Sequence, residues 1–249
     1  KGDKVCAFIH VKNLSDLEYV QNHYLIFATK DGLMKKTTLE SYSRPRANGI
    51  IALGLREGDR LIRVTLTDGN SQMLVASYNG KVVRFPEDSV RPMGRTATGV
   101  RAIKLDEDGQ DRVIGMICVE EDSKESVLVI SEKGYGKRTD LNDENGEAIY
   151  RITNRGAKGV KTMNLTDKTG NLIGLEAVTD EQDLMLITKS GTAIRMAMDT
   201  IRIMGRATQG VKLIELQKRN DTLMFGCVVP KEEVEEAVEA TAEETTTEE

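Results

Sequence analysis

Histidine and cysteine are scarce in this chain, and their placement argues against metal and disulfide chemistry. The 249 residues hold two histidines, His10 and His23, and three cysteines, Cys6, Cys118 and Cys227. The cysteines are far apart in the sequence and each lies in an apolar run, which indicates neither a disulfide framework nor a zinc site. We expect them to be small buried side chains. Neither histidine has a Cys, Asp or Glu at ligand spacing, so we expect both to have structural or surface roles.

Long apolar runs and catalytic motifs are also missing. Aromatic residues make up only 4% of the chain, with no Trp, and no apolar run approaches the roughly 18 residues of a membrane span. Nucleophile elbows, phosphate-binding glycine loops and metal-binding histidine pairs are absent. The acidic run from Asp140 to Glu147 lacks calcium-loop spacing, and we expect a solvated loop there. The sequence therefore predicts no catalytic residue, no metal site and no cofactor.

The ends of the chain differ in character from its body. The chain begins with Lys1 and has no signal peptide, so we expect it to be a piece of a longer protein. Residues 231–249 hold nine Glu and one Lys, whereas residues 1–230 hold 34 basic and 31 acidic side chains. We expect residues 231–249 to be an acidic disordered tail. A mildly basic body with such a tail is typical of nucleic-acid proteins.

The clearest positive feature is an internal repeat. Residues 89–101 and 200–212 match almost residue for residue, and residues 43–49 and 152–159 are looser copies. A period near fifty residues indicates a solenoid, a propeller or an array. Each copy is basic and closes on a glycine, and an apolar run follows. The closing glycines are Gly49, Gly99, Gly159 and Gly210.

Short strand-like runs surround these loops. Asp-Gly and Asn-Gly pairs at Gly32 and Gly80 predict tight hairpins, and Gly134 and Gly191 occupy the equivalent places in the other units. Each unit has four runs of 4–8 residues, too short for helices, and the opening run 5–11 is a spare copy of the fourth. The sequence predicts an all-β, propeller-like fold with about four blades. The units predicted are 3–56, 59–107, 111–167 and 171–217, with a closing strand at 221–229, all within a domain spanning residues 1–230.

Positive charge recurs at equivalent places in the units. If rotation relates the units, these residues form a basic belt that matches a continuous polyanion. Few aromatic residues accompany them, which favours a duplex backbone over unpaired bases. A propeller that binds a protein is the alternative. The candidate DNA-binding residues are Lys35, Lys36, Arg44, Arg46, Lys81, Arg84, Arg91, Arg95, Arg101, Lys137, Arg138, Arg151, Arg155, Lys158, Lys161, Arg195, Arg202, Arg206 and Lys212.

Several of these stretches together resemble the C-terminal domain of the A subunit of bacterial DNA gyrase. The resemblance runs along residues 1–230 and is carried by residues 79–85, 89–95, 98–101, 134–139 and 205–211. The acidic tail is also similar. The related C-terminal domain of the topoisomerase IV A subunit is the alternative that the sequence could resemble. The resemblance implies a β-pinwheel, a propeller-like disc whose blades exchange strands, with DNA wrapped around a basic rim.

The resemblance also implies partners and a setting. These are double-stranded DNA bound largely without sequence preference, the rest of the gyrase A subunit, and the B subunit in a heterotetramer of two A and two B subunits. It implies negative supercoiling in the bacterial cytoplasm, with ATP and magnesium used elsewhere in the enzyme, no membrane, and a monomeric isolated domain.

The family's disc has six blades and a Gln-Arg-Arg-Gly-Gly-Lys-Gly box. This chain has four units and no such box, so we expect the first blades to lie outside it. Residues 154–159 resemble a degenerate copy of the box.

Overall fold

The computed structural model describes residues 5–120, 122–216 and 221–231. Fifteen strands in this part of the chain form four antiparallel sheets, which confirms the predicted all-β, propeller-like fold. The strands are β1 (Tyr24–Thr29), β2 (Leu33–Thr38), β3 (Leu61–Thr67), β4 (Gln72–Ser77), β5 (Lys81–Pro86), β6 (Val100–Arg101), β7 (Val113–Val119), β8 (Ser126–Ser131), β9 (Tyr135–Asp140), β10 (Val160–Lys161), β11 (Leu172–Val178), β12 (Gln182–Thr188), β13 (Ala193–Ala197), β14 (Val211–Lys212) and β15 (Leu223–Pro230).

Helical structure is limited to short segments. One α-helix, α1 (Leu17–Asn22), is capped by Asp16, whose carboxylate accepts the Tyr19 backbone N–H. Three 3-10 helices follow second strands, at Leu39–Tyr42, Glu87–Ser89 and Met198–Thr200. Among the described residues, no helix is long and apolar enough to span a membrane.

Each of the first three sheets takes its outermost strand from the next repeat unit. The sheet orders are β3-β1-β2-β6, β10-β5-β4-β7, β11-β8-β9-β14 and β13-β12-β15. Strand β6 belongs to the second unit but pairs with β2 of the first, and β10 and β14 repeat this one and two units later. The fourth sheet has three strands within the described residues. The blades therefore exchange strands along one edge, while β3, β7, β11 and β15 line the opposite, inner edge.

The turn glycines form the predicted hairpins. Gly32, Gly80, Gly134 and Gly191 all have φ between +81° and +90°, a conformation that suits glycine because it has no Cβ. Each sits between the first and second strand of a sheet. The hairpin pattern was therefore readable directly from the sequence.

Three of the four closing glycines lie where one backbone segment closely approaches another. A methyl group built on Gly210 would lie 2.7 Å from the Gly136 carbonyl oxygen, and one built on Gly159 would overlap the Val82 carbonyl. Glycine at these places allows the exchanged strand to approach the preceding blade. Gly49 also has a positive φ, but a methyl group there would have no neighbour within 4 Å, since no preceding blade lies among the described residues.

Two predicted strands are wrong. The runs 5–11 and 50–55 form no strand, and the exchanged strands are only two residues long. Residues 50–55 occupy the place of an exchanged strand but have no acceptor sheet in the described chain. Residues 5–11 likewise lack a sheet partner there, and Ile9 and Val11 instead pack on the outer face of the first blade.

Apolar cores lie between successive blades. Ile26 and Met34 of the first sheet pack with Val75 and Phe85 of the second, whereas Leu74, next to Val75, belongs to the core between the second and third sheets. Strand β4 is thus buried on both faces, which explains why its sequence is continuously apolar rather than alternating. A further core joins the third and fourth sheets.

Candidate nucleic-acid interface

A loop precedes each exchanged strand and lies along the outer edge of the preceding sheet, and residues 43–49 are the equivalent loop of the first unit, which has no such sheet among the described residues. We call these the perimeter loops: residues 43–49, 91–99, 151–159 and 202–210. Three equivalent hydrogen bonds attach the last three of them: Met93 N–H donates to Lys36 O, Thr153 N–H to Arg84 O and Met204 N–H to Arg138 O, each at 2.8 Å. These three loops are therefore fixed to the edge at matched heights rather than free in solution.

Exposed cations stand at equivalent positions on these loops and on the strands that follow. Arg91, Arg151 and Arg202 begin three loops. Among the described residues, no carboxylate lies within ion-pair distance of these three. The second residues of the exchanged strands, Arg101, Lys161 and Lys212, are also exposed. The remaining exposed candidates are Arg44, Arg46, Arg155 and Lys158 of the loops and Arg195 of β13.

One of these cations is locally compensated. The Lys212 ammonium donates to the Glu215 carboxylate at 2.7 Å. This hydrogen bond raises the pKa of Lys212 above its ordinary value, so the charge persists at neutral pH. Lys161, the equivalent residue of the preceding unit, is also exposed.

A second set of arginines ties each of the last three perimeter loops to the segment that follows the closing glycine of the preceding unit. Arg95 Nη1 donates to Ile51 O at 3.4 Å, Arg155 Nη1 to Arg101 O at 3.3 Å, and Arg206 Nη1 to Lys161 O at 3.0 Å. Each arginine precedes its closing glycine by four residues. From the sequence these three arginines are predicted only to bind DNA, but their fixed spacing also reflects a shared structural contact.

Two lysines lie beneath the loops with no exposed surface. Lys35 Nζ donates to Ala52 O at 2.5 Å and to Arg95 O at 2.6 Å, and Lys137 Nζ donates to Gly205 O at 2.5 Å. Burial lowers the pKa of both lysines to about 8, and the charges of Arg95 and Arg206 respectively act in the same direction. These ammonium groups support loop backbone and do not face solvent in this conformation.

The fourth residue after each turn glycine is basic, and it also contacts protein. Lys36 pairs with the buried Glu87 carboxylate at 2.7 Å. Arg84 donates to Tyr150 O at 3.4 Å. The remaining contacts of this kind are Arg138 Nε to Ile201 O at 2.8 Å, the Arg138–Asp180 ion pair, and Arg195 Nε to Asp183 Oδ2 at 2.7 Å.

Lys81, the remaining candidate, belongs to a turn network. Its ammonium lies 2.5 Å from Asp106 Oδ1 and lowers the pKa of that carboxyl group. The nineteen candidates thus fall into two groups. Cations of the loops and exchanged strands are exposed or half-buried, whereas the hairpin cations contact protein, although Arg195 among them is exposed. The hairpin cations are Lys35, Lys36, Lys81, Arg84, Lys137, Arg138 and Arg195.

In the part of the chain that the structure describes, no group of three or more His, Cys, Asp or Glu is placed to hold an ion. In the acidic loop, Asp143 accepts the backbone N–H groups of Asn145 and Glu147, both at 2.9 Å. His10 is exposed, and His23 Nδ1 lies 2.8 Å from Tyr19 O.

The cysteines differ in their surroundings. Cys6 is exposed, so the expectation that all three are buried is wrong there: residues 5–11 form no strand. Cys118 and Cys227 are half-buried, and burial raises the pKa of the Cys118 thiol far above its ordinary value. None of the three forms a disulfide.

Comparison with known proteins gives concordant matches. The family model described as DNA gyrase C-terminal domain, beta-propeller, matches residues 23–68, 72–120, 125–179 and 182–225. The A subunit of DNA gyrase from Staphylococcus aureus (strain NCTC 8325 / PS 47) is 40% identical over 243 residues, which cover 98% of this chain and 26% of that protein. The chain thus spans about a quarter of the length of the curated relatives it matches.

Solved structures show the same architecture. The C-terminal domain of DNA topoisomerase IV superposes with a TM-score of 0.75 at 23% identity, covering 84% of this chain and 62% of the other. The DNA gyrase A C-terminal domain gives 0.71 at 23% identity, covering 84% and 66%. At this identity the two structures show a shared fold.

Proposed function

Because the chain belongs to the family of DNA gyrase C-terminal domains, we propose that it binds duplex DNA along its perimeter loops and bends it. The observation that carries the proposal is the repetition of exposed cations at matched places. Arg91, Arg151 and Arg202 recur on successive loops, as do Arg101, Lys161 and Lys212 on the exchanged strands. A duplex laid along this edge meets the same cations in each blade.

The chemistry of these contacts is largely independent of base sequence. Lysine and arginine at phosphates release condensed counterions, which gives affinity without base readout. Bending a stretch of 20–30 base pairs by 40–90° costs on the order of 1–6 kcal/mol. Contacts distributed over several blades offset this cost because each one forms only when the duplex follows the edge.

The hairpin cations have a different part in this proposal. Lys35, Lys36, Arg84, Lys137 and Arg138 are all buried and hold the loops in place through carbonyl and carboxylate partners. They act on DNA by positioning the exposed cations. The phosphate contacts themselves come from the perimeter loops and exchanged strands.

At the level of the parent enzyme, we propose that the wrapped duplex is presented to the catalytic parts of a gyrase made of two A and two B subunits in the bacterial cytoplasm. ATP-dependent negative supercoiling and its magnesium chemistry belong to those other parts, and this chain supplies the bend. Support for this proposal comes from the family match.

The first experiment is duplex affinity across a salt series with the 249-residue chain and two unrelated sequences. We expect a slope of log K against log salt of about −4 or steeper, at about 0.9 per neutralised phosphate, and similar values for both duplexes. Undetectable binding at low salt would exclude the proposal and leave a protein-binding propeller as the alternative. A strong preference for one sequence would contradict backbone recognition.

A further inference from the structure

Every perimeter loop carries an exposed apolar residue directly after an exposed arginine. The four pairs are Arg44-Pro45, Arg91-Pro92, Arg151-Ile152 and Arg202-Ile203, and all eight residues are exposed. Ile152 is 46% exposed and Ile203 is 52% exposed. Isolated exposed apolar residues are ordinary on protein surfaces, but in three of the four units this pairing begins eight residues before the closing glycine.

The fold fixes where these apolar residues stand. Pro92 forms a parallel bridge with Lys36, Ile152 with Arg84, and Ile203 with Arg138. The backbone at each is therefore anchored to the outer edge of the preceding sheet. None of the three belongs to an apolar core cluster of the described residues.

This inference rests on the proposed function: we propose that these apolar side chains contact the deoxyribose carbons of the bound duplex and thereby make the domain prefer DNA to RNA. Consecutive Cα atoms are about 3.8 Å apart, so the apolar residue lies next to the arginine that we propose binds phosphate. The sugar edge of DNA is apolar where RNA carries a 2′-hydroxyl, the group by which proteins distinguish the two. Proline and isoleucine cannot hydrogen-bond that hydroxyl through their side chains.

Sugar contacts leave a different signature from phosphate contacts. Loss of a cation changes the salt slope, because the slope counts released counterions. Loss of an apolar contact weakens binding equally at all salt concentrations and leaves the slope unchanged. The two kinds of contact on each loop can therefore be separated in one titration series.

The test uses Ile152→Thr with Ile203→Thr, which keeps β-branching and charge and replaces apolar surface by a hydroxyl at each site. We expect duplex DNA affinity to fall about tenfold at every salt concentration with an unchanged slope. Affinity for an RNA duplex of the same sequence should change little, so the DNA-to-RNA ratio should fall by a similar factor. The control is Val5→Thr with Met224→Thr, at exposed apolar positions outside the perimeter loops, and should bind like the parent.

A second variant sharpens the result. Ile152→Lys with Ile203→Lys adds two charges, so a purely electrostatic perimeter predicts tighter binding at every salt concentration. The sugar contact predicts a steeper slope together with weaker binding than the parent at high salt. Parent-like affinity and DNA-to-RNA ratio in the Thr variant would overturn the inference alone. Absence of DNA binding by the parent at low salt would overturn the proposed function as well.

Discussion

At the scale of single residues, the buried lysines make a prediction about pH. Lys35 and Lys137 have pKa values lowered to about 8 from an ordinary 10.5. Between about pH 8 and pH 10.5, these lysines bind more protons in the unfolded chain than in the folded chain. The free energy of unfolding therefore rises with pH across this window, by up to about 1 kcal/mol per pH unit for each lysine.

Lys137→Met isolates one of these contributions. We expect the free energy of unfolding of the parent, minus that of the variant, to increase from about pH 8 to about pH 10, as measured by urea denaturation at each pH. Subtraction removes the titration of groups common to both proteins. Lys158→Met, at an exposed position, controls for the loss of one positive charge. A parent-minus-variant difference that stays constant across this range would contradict the buried position of Lys137.

Two neighbouring arginines of one loop separate charge from structure. Arg202 is exposed, whereas Arg206 also donates to Lys161 O at 3.0 Å. We expect Arg202→Ala to reduce the salt slope of DNA binding by about 0.9 without changing the melting temperature. Arg206→Ala should weaken DNA binding and also lower the melting temperature, because it detaches the loop from the preceding unit. Equal melting temperatures would rule out the structural link.

Burial of individual cations is what the sequence could not reveal. A repeat pattern marks a cation as recurrent, but Lys137 and Lys158 look alike in the sequence, although one is fully buried and the other exposed. The difference arises from the exchanged strands, which fold the loop of one unit over the hairpin of another. Burial of this kind depends on contacts between units, and periodicity within a unit does not report it.

At the scale of elements, glycine controls strand exchange. Gly159 has φ +74°, and a methyl group there would overlap the Val82 carbonyl, so Gly159→Ala should prevent β10 from pairing with β5. Backbone strain and overpacking together predict a loss of about 3 kcal/mol or more in the free energy of unfolding. Gly49→Ala is the matched control: its φ is +79°, with open space around it, and strain alone predicts about 1 kcal/mol. Urea denaturation compares the two, and equal losses would contradict the close approach.

Elements whose formation depends only on nearby residues were predictable from the sequence. The hairpins at Gly32 and Gly80 follow from turn chemistry and were confirmed. The runs 5–11 and 50–55 read as strands but have no sheet edge to join among the described residues, since a strand requires a partner as well as a pattern. The exchanged strands are shorter than predicted because Ala102 and Ile103 turn inward and are buried after only two paired residues.

At the scale of the whole molecule, ion pairing links blades that are not sequence neighbours. The Arg63 guanidinium of β3 donates to both carboxylate oxygens of Glu176 of β11, each at 2.9 Å, and so joins the first sheet to the third. This ion pair therefore connects the inner edges of the first and third sheets, while the outer edges carry the exposed cations. This division leaves the perimeter available to a ligand without disturbing the interior.

Residue 231 lies beside the segment that leads into the fourth perimeter loop. Lys231 Nζ lies 2.9 Å from Asp199 Oδ2, three residues before Arg202, and Arg195 donates to Pro230 O at 2.9 Å. Residues 232–249 lie outside the described residues, but their nine glutamates follow directly. These glutamates and the DNA phosphates are both negatively charged and compete for the same cations. We therefore expect truncation after Pro230 to tighten duplex binding at low salt. The gain should shrink as salt rises, because screening weakens both interactions.

Replacing the nine glutamates by glutamine separates charge from length. If competition is electrostatic, this variant should bind as tightly as the truncated chain, although it keeps the full length of the segment. Truncation and the glutamine variant are then compared with the parent in one salt series. Unchanged affinity after truncation would exclude competition. Tighter binding by the truncated chain, with parent-like binding by the glutamine variant, would show that bulk rather than charge obstructs the perimeter loops.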